Sequence, residues 1–275
     1  MTAVRLGAVG YLNARPLVYG LEQSPRFDLR FDLPARCADL LHSGAIDLGL
    51  IPSIEYLRGP RDGSPDGSYA IVPDLAIASR GPVGSVALFT RRPIADVRSI
   101  ALDTSSRTSA ALMRVLCSRV FRIAPSFEHR PPDLADMLAH ADAALIIGDA
   151  ALLLDPVNAG DGGVPAVQKI DLGSQWTTHT GLPFVYAFWA GVPGRLTSDD
   201  VRALQEARNR GIERPDEIAQ AYFDRPGEQA SGASYLRDNI KYSLGPDELA
   251  ALECFYRYAV EAGAVQRTRE LRFYP

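Results

Sequence analysis

The sequence predicts an α/β protein with two lobes, each a mostly parallel sheet flanked by helices, and a ligand cleft between them. Three observations carry this expectation. Apolar runs of strand length alternate with helical stretches in two successive series, one starting near residue 4 and one near residue 99. Two further apolar runs, 86–90 and 184–190, read as strands that leave the first series and return to it. The turns after the strands are polar, and in open α/β sheets the carboxyl edge is where ligands bind, because the next helix points unpaired N–H groups into the crevice.

The elements follow in order. Residues 4–9 form a strand, and the motif GYLNARPL (10–17) sits at its carboxyl end, leading into 17–21 as the opening of a helix. Asn13 suits a binding turn because its amide both donates and accepts. It suits a helix cap equally, with Pro16 in a first turn that needs no N–H and Arg15 as a solvated charge. Residues 27–33 alternate apolar and charged side chains and form a strand with one exposed face. A helix from 34 to 41 ends near Gly44, and the strand 45–51 delivers Pro52 and Ser53 to the same edge as Asn13. The stretch 58–68, rich in Gly, Pro, Ser and charge, reads as an exposed loop. The chain is extended again from Tyr69, and the runs 76–79 and 86–90 flank a Gly-rich turn that holds Ser85, the second run leaving the first lobe.

The strand 99–103 opens the second series and runs into Thr104, Ser105, Ser106, Arg107, Thr108 and Ser109 ahead of a helical run, 110–120. Backbone N–H groups, hydroxyls and the positive end of the helix dipole favour a carboxylate or phosphate there. A Ser or Thr cap needs no ligand, but the density of hydroxyls favours an anion site. Another helix starts at 131–134, and the buried strand 143–147 ends in Gly148 and Asp149. Asp149 either orients a ligand hydroxyl or accepts a proton, or it caps the helix 150–154. After a turn at 160–163 and a strand at 167–172, the aromatic run 184–190 returns to the first lobe. The remainder reads as helices over 201–210, 217–223, 233–240 and 246–262. The last carries Leu249, Leu252, Phe255, Tyr256 and Ala259 on one face, a core stripe rather than a ligand box. Lobe 1 is expected at 1–90 and 189–275, and lobe 2 at 91–188.

Composition excludes several classes of function. Of 275 residues, 47% are hydrophobic and 23% charged, and a net charge of −4 offers no general attraction to a phosphate backbone, so no nucleic-acid partner is expected. No apolar run approaches the roughly 20 residues that span a bilayer, and 4–9 is too short for a secretory segment, so no membrane partner and a cytoplasmic location are expected. Cys37, Cys117 and Cys254 lie far apart, and only His42, His129, His140 and His179 could join them, so reduced thiols and no metal are expected. The expected partner is a small molecule. The oligomeric state stays open, a homodimer included.

The order of lobe, outgoing strand, second lobe, returning strand and helical tail resembles the type II periplasmic-binding-protein plan, in which lobes close over a ligand. The motifs GYLNARPL (10–17), LIPSIEY (50–56), GPVGSV (81–86), DTSSRTS (103–109) and Trp176 with TGLPFVY (180–186) resemble the chorismate dehydratases of the futalosine route to menaquinone, in the same order over nearly the whole chain. The resemblance implies a carbon–oxygen lyase that takes chorismate to 3-[(1-carboxyvinyl)oxy]benzoate and water without metal or organic cofactor. It implies that Asn13 and Ser85 are catalytic and hydrogen-bond the leaving hydroxyl; without it, Ser85 reads as a turn hydroxyl on its own backbone. The substrate-binding residues it implies are Tyr11, Arg15, Ser53, Thr104, Ser105, Ser106, Thr108, Ser109, Gly148 and Asp149. One substrate carboxylate is expected at 104–109. The proton acceptor is the substrate's own side-chain carboxylate, with Asp149 or His179 as alternatives from the protein. The rival expectation is a cytoplasmic binding or sensing protein for an aromatic or carboxylate ligand.

Overall fold

The computed structural model describes residues 3–59, 68–154 and 166–275. Most of the expected loop at 58–68 and the expected turn at 160–163 lie outside the described residues. Strands β1 (Val4–Val9), β2 (Phe27–Asp32), β3 (Leu48–Pro52) and β4 (Ala70–Ser79) belong to one sheet. Strands β5 (Val86–Thr90), β6 (Ser99–Asp103), β7 (Ser126–Arg130), β8 (Ala143–Ile147) and β9 (Gln168–Asp171) form a second, and β10 (Phe184–Gly191) returns to the first. The orders are β2-β1-β3-β10-β4 and β7-β6-β8-β5-β9.

Each sheet is parallel except for one strand. In the first sheet, β10 runs antiparallel to β3 and β4, with Phe188 opposite Ile51. In the second, β5 runs antiparallel to β8 and β9, with Leu88 opposite Leu145. In both cases the reversed strand is the one that arrives from the other lobe. It enters from the edge where the parallel strands end, so it has to run the opposite way. This brings the carboxyl ends of β1, β3 and β8 and the amino ends of β5 and β10 to one place. The chain changes sheet between Ser79 and Val86 and again between Asp171 and Phe184.

The helices are α1 (Pro34–His42), α2 (Thr108–Leu116), α3 (Leu134–His140), α4 (Gly148–Leu153), α5 (Leu172–Thr180), α6 (Ser198–Ile212), α7 (Pro215–Tyr222), α8 (Pro226–Ser234) and α9 (Pro246–Glu261). Proline opens α1, α7, α8 and α9 at a first-turn position, where its missing N–H costs nothing. A reciprocal cap between Thr197 and Asp200 starts α6. On α9, Leu252, Phe255, Tyr256 and Ala259 are buried as expected, while Leu249 is only partly covered. Phe255 meets Phe184 and Trp176 edge-on at centroid distances of 4.8 and 6.0 Å, which joins the helical tail to both β10 and α5. Among the described residues, no helix is long and apolar enough to cross a membrane.

One local expectation needs correction, and two elements lack a sequence pattern of their own. The segment after β1 is a 3-10 helix, Leu12–Val18, with Pro16 inside it, and Gly20 at φ +77° ends the turn; the cap is Tyr11, so Asn13 is not a cap. Strand β7 went unread because the edge strand of Ser126, Phe127, Glu128, His129 and Arg130 has no apolar alternation. Helix α5 went unread because it is rich in Gly, Ser and Thr; it starts where the Asp171 carboxylate accepts the Ser174 N–H.

Candidate active site

A small cavity of about 60 Å³ lies where the five strand ends converge. Val9, Ile77, Val83, Val86 and Ile147 give it apolar walls, and among the described residues no Asp, Glu or His lines it.

One polar wall is built on Asn13 and Ser85, both on the lining. Asn13 is carried by the 3-10 helix after β1, and Ser85 by the crossing segment before β5. Asn13 Nδ2 donates to the Tyr235 hydroxyl at 3.1 Å, and Ser85 Oγ lies 2.7 Å from the same hydroxyl. Asn13 Oδ1 is buried and makes no hydrogen bond among the described residues. Burial holds the Tyr235 phenol well above the ordinary tyrosine range. No local sequence pattern marks Tyr235. It stands 150 residues from Ser85 at the start of a π turn, Tyr235–Asn239, that continues α8, and an aromatic in a helical tail carries no local mark of a site.

The facing wall is the start of α2, where Ser106, Arg107, Thr108 and Ser109 line the cavity. The first N–H groups of a helix have no acceptor within it, and they carry the positive end of its dipole. Thr108 Oγ1 accepts the Ile54 N–H at 3.3 Å, tying this wall to the first lobe. Arg107 turns its guanidinium to Glu55 and Asp39, each at 2.9 Å. Glu55 is fully buried and also meets His42 Nε2 at 3.0 Å. Burial pushes its carboxyl up, but the His42 hydrogen bond and the Arg58 and Arg107 charges outweigh this and hold it below the ordinary value. The Arg107 charge is therefore balanced before any ligand arrives.

Tyr11 and Gly148 complete the lining from the predicted set. Gly148 has φ +67°, and a Cβ there would lie 2.9 Å from the Tyr11 ring, so glycine is required for both reasons.

Five expected binding residues are not on the lining, and each has its polar group engaged elsewhere or turned outward. Arg15 lies over the rings of Phe31 and Tyr222, 4.0 and 5.1 Å from their centroids. Ser53 donates its hydroxyl to the Val185 carbonyl at 2.8 Å. Thr104 is exposed. Ser105 gives both its N–H and its hydroxyl to Asp103 Oδ1, at 2.8 and 2.7 Å, and its Oγ lies 3.2 Å from the Tyr11 hydroxyl. Asp149 accepts the Leu12 N–H at 3.2 Å and the Tyr222 hydroxyl at 2.5 Å, so it fastens the second lobe to the first motif. Burial raises its carboxyl above the ordinary range, against the lowering effect of those two bonds. It sits in the first turn of α4 rather than at its cap, and His179 is exposed on α5 away from the cavity.

Two sheets joined by two crossings, with a cavity at the junction, define a two-lobed protein of the periplasmic-binding-protein fold. A protein of Archaeoglobus fulgidus superposes with a TM-score of 0.73 at 16% identity, covering 96% of this chain and 99% of its own. A Candida albicans protein described as exhibiting the generic periplasmic binding protein structural fold gives 0.57 at 14% identity, over 98% of this chain and 92% of its own. Within that class, the chain belongs to the menaquinone biosynthesis family, whose profile it matches over residues 4–261. The chorismate dehydratase of Thermus thermophilus is 32% identical over 263 residues, covering 91% of this chain and 93% of that protein. The chorismate dehydratase of Campylobacter jejuni is 26% identical, covering 91% and 95%.

Proposed function

We propose that this protein is a chorismate dehydratase: a cytoplasmic carbon–oxygen lyase of the futalosine route that converts chorismate to 3-[(1-carboxyvinyl)oxy]benzoate and water. The observation that carries the reading is the 32% identity to the Thermus thermophilus enzyme of that name across 91% of the chain. The cavity is consistent with it. Chorismate is a dianion with a small ring; the ring lies against the apolar walls, and one carboxylate sits on the first turn of α2, with the hydroxyls of Ser106, Thr108 and Ser109 around it.

The reaction needs a proton removed from the ring and a neighbouring hydroxyl expelled. With no Asp, Glu or His on the lining among the described residues, the substrate's own side-chain carboxylate takes the ring proton. The electron pair of that C–H bond becomes the new ring π bond as the C–O bond breaks, and the carboxyl returns its proton to the departing hydroxide, which leaves as water. Aromatisation supplies the driving force. The protein orients the substrate, excludes water and hydrogen-bonds the departing oxygen through Asn13 and Ser85.

Incubation of the purified protein with chorismate tests this, with the product followed by absorbance and mass. The expected result is a benzoate product formed in step with loss of chorismate and one water. Tight binding with no product would overturn the reading in favour of a binding or sensing protein.

A further inference from the structure

Tyr235 does not line the cavity and is 3% exposed, yet its hydroxyl is where the two proposed catalytic side chains meet. A phenol carries one proton. Asn13 Nδ2 already uses the Tyr235 oxygen as an acceptor, and among the described residues Ser85 Oγ, 2.7 Å away, is the other side-chain atom hydrogen-bonded to that hydroxyl and therefore the acceptor open to the phenolic proton. Ser85, once it accepts that proton's hydrogen bond, keeps its own hydrogen for the cavity it lines. At the other end of the chain, Asn13 Oδ1 remains as a buried acceptor with no partner among the described residues.

We infer that Tyr235 is a positioning residue that sets the direction of a donor chain, from Asn13 Nδ2 to Tyr235 Oη to Ser85 Oγ to the oxygen that departs. This rests on the dehydratase reading. A substrate hydroxyl held here gives its own proton to Asn13 Oδ1 and receives one hydrogen bond from Ser85, so its lone pair faces a donor as the C–O bond lengthens. No covalent bond changes along the chain; Tyr235 acts by denying Ser85 its other orientation. Were the chain reversed, Ser85 would donate to Tyr235 and present only lone pairs to an oxygen leaving with negative charge. Burial of the phenol keeps its proton in place over the whole working pH range.

Three measurements with chorismate as substrate test the assignment. Tyr235→Phe removes one oxygen and should lower kcat by about tenfold or more while KM stays within about twofold, since the lost interaction acts in the transition state. In a double-mutant cycle with Ser85→Ala, the double variant should be no more than about threefold below Ser85→Ala alone, because both changes remove the same donor. A polyfluorinated tyrosine at position 235 keeps the shape and the fold but loses its proton more readily. That protein should lose activity at a lower pH than the natural one. The assignment fails if Tyr235→Phe keeps kcat within about twofold, if the two losses multiply, or if the fluorinated and natural pH profiles superimpose. Wild-type protein that binds chorismate without converting it overturns the dehydratase reading itself, a result distinct from normal wild-type turnover with an indifferent Tyr235.

Discussion

Replacing Glu55 by Gln should weaken the fold more than any single surface ion pair would, and should do so in a pH-dependent way. Glu55 is fully buried and holds His42, Arg107 and Arg58. Glutamine keeps the volume and one acceptor but removes the charge. A hydrogen bond to a charged group is worth about 1.5–3 kcal/mol, which sets the scale for Arg107. Arg58 is half exposed and solvent-screened, so it adds less than about 1 kcal/mol. The expected loss is about 2–4 kcal/mol at neutral pH, or about 5–10 °C in Tm for a chain of this size. Because the folded carboxyl titrates below its ordinary value of 4.5, its contribution is complete above that value and disappears as pH falls through the folded pKa. The gap between wild type and Glu55→Gln should therefore be widest at neutrality and should close in acid. Urea and thermal melts across that range measure it. A Tm within about 1 °C of wild type at neutral pH, or a gap that does not narrow in acid, would refute the reasoning.

Other outcomes follow from the same geometry. Asn13→Ala removes both the acceptor that orients the substrate hydroxyl and the donor to Tyr235, so it should lower kcat by about 10²-fold, with a stability loss near 1 kcal/mol for its bond to Tyr235; near-normal turnover would remove Asn13 from the chemistry. Gly148→Ala combines a left-handed backbone with a methyl 2.9 Å from the Tyr11 ring, so it should cost about 1–3 kcal/mol or more and raise KM, and an unchanged melt would contradict the contact. Asp149→Asn cannot accept from both Leu12 and Tyr222, so it should lose about 1–3 kcal/mol while kcat stays within about threefold. A kcat loss above about a hundredfold would return Asp149 to the chemistry as a proton acceptor.

The turns at 10–17 and 103–109 were legible because a short apolar strand runs straight into a polar turn, and a strand's carboxyl end in a parallel sheet is a place as well as a pattern. What that logic cannot show is which polar groups the rest of the chain has already claimed. Arg15 reads as a substrate cation until Phe31 and Tyr222, one of them from a distant helix, are seen to enclose it. Asp149 reads as a base until Leu12 and Tyr222 occupy its oxygens. Arg107 reads as part of an anion seat among hydroxyls until Glu55 and Asp39 are seen to hold its charge. Tyr235 was hidden for the opposite reason: its neighbours in sequence are helical, and its partners, Asn13 and Ser85, stand at least 150 residues away in the chain.

Ser85 sits in the short segment where the chain passes from one sheet to the other, and its partner Tyr235 belongs to the helical tail. Any rotation of one lobe against the other moves points in proportion to their distance from the axis, and a crossing segment lies near that axis. The grip proposed for the hydroxyl thus stands beside a crossing, and the anion seat proposed at the start of α2 stands on the second lobe. Were the lobes to part, the Ser85–Tyr235 contact beside the crossing would shift little, and the first turn of α2 would shift more.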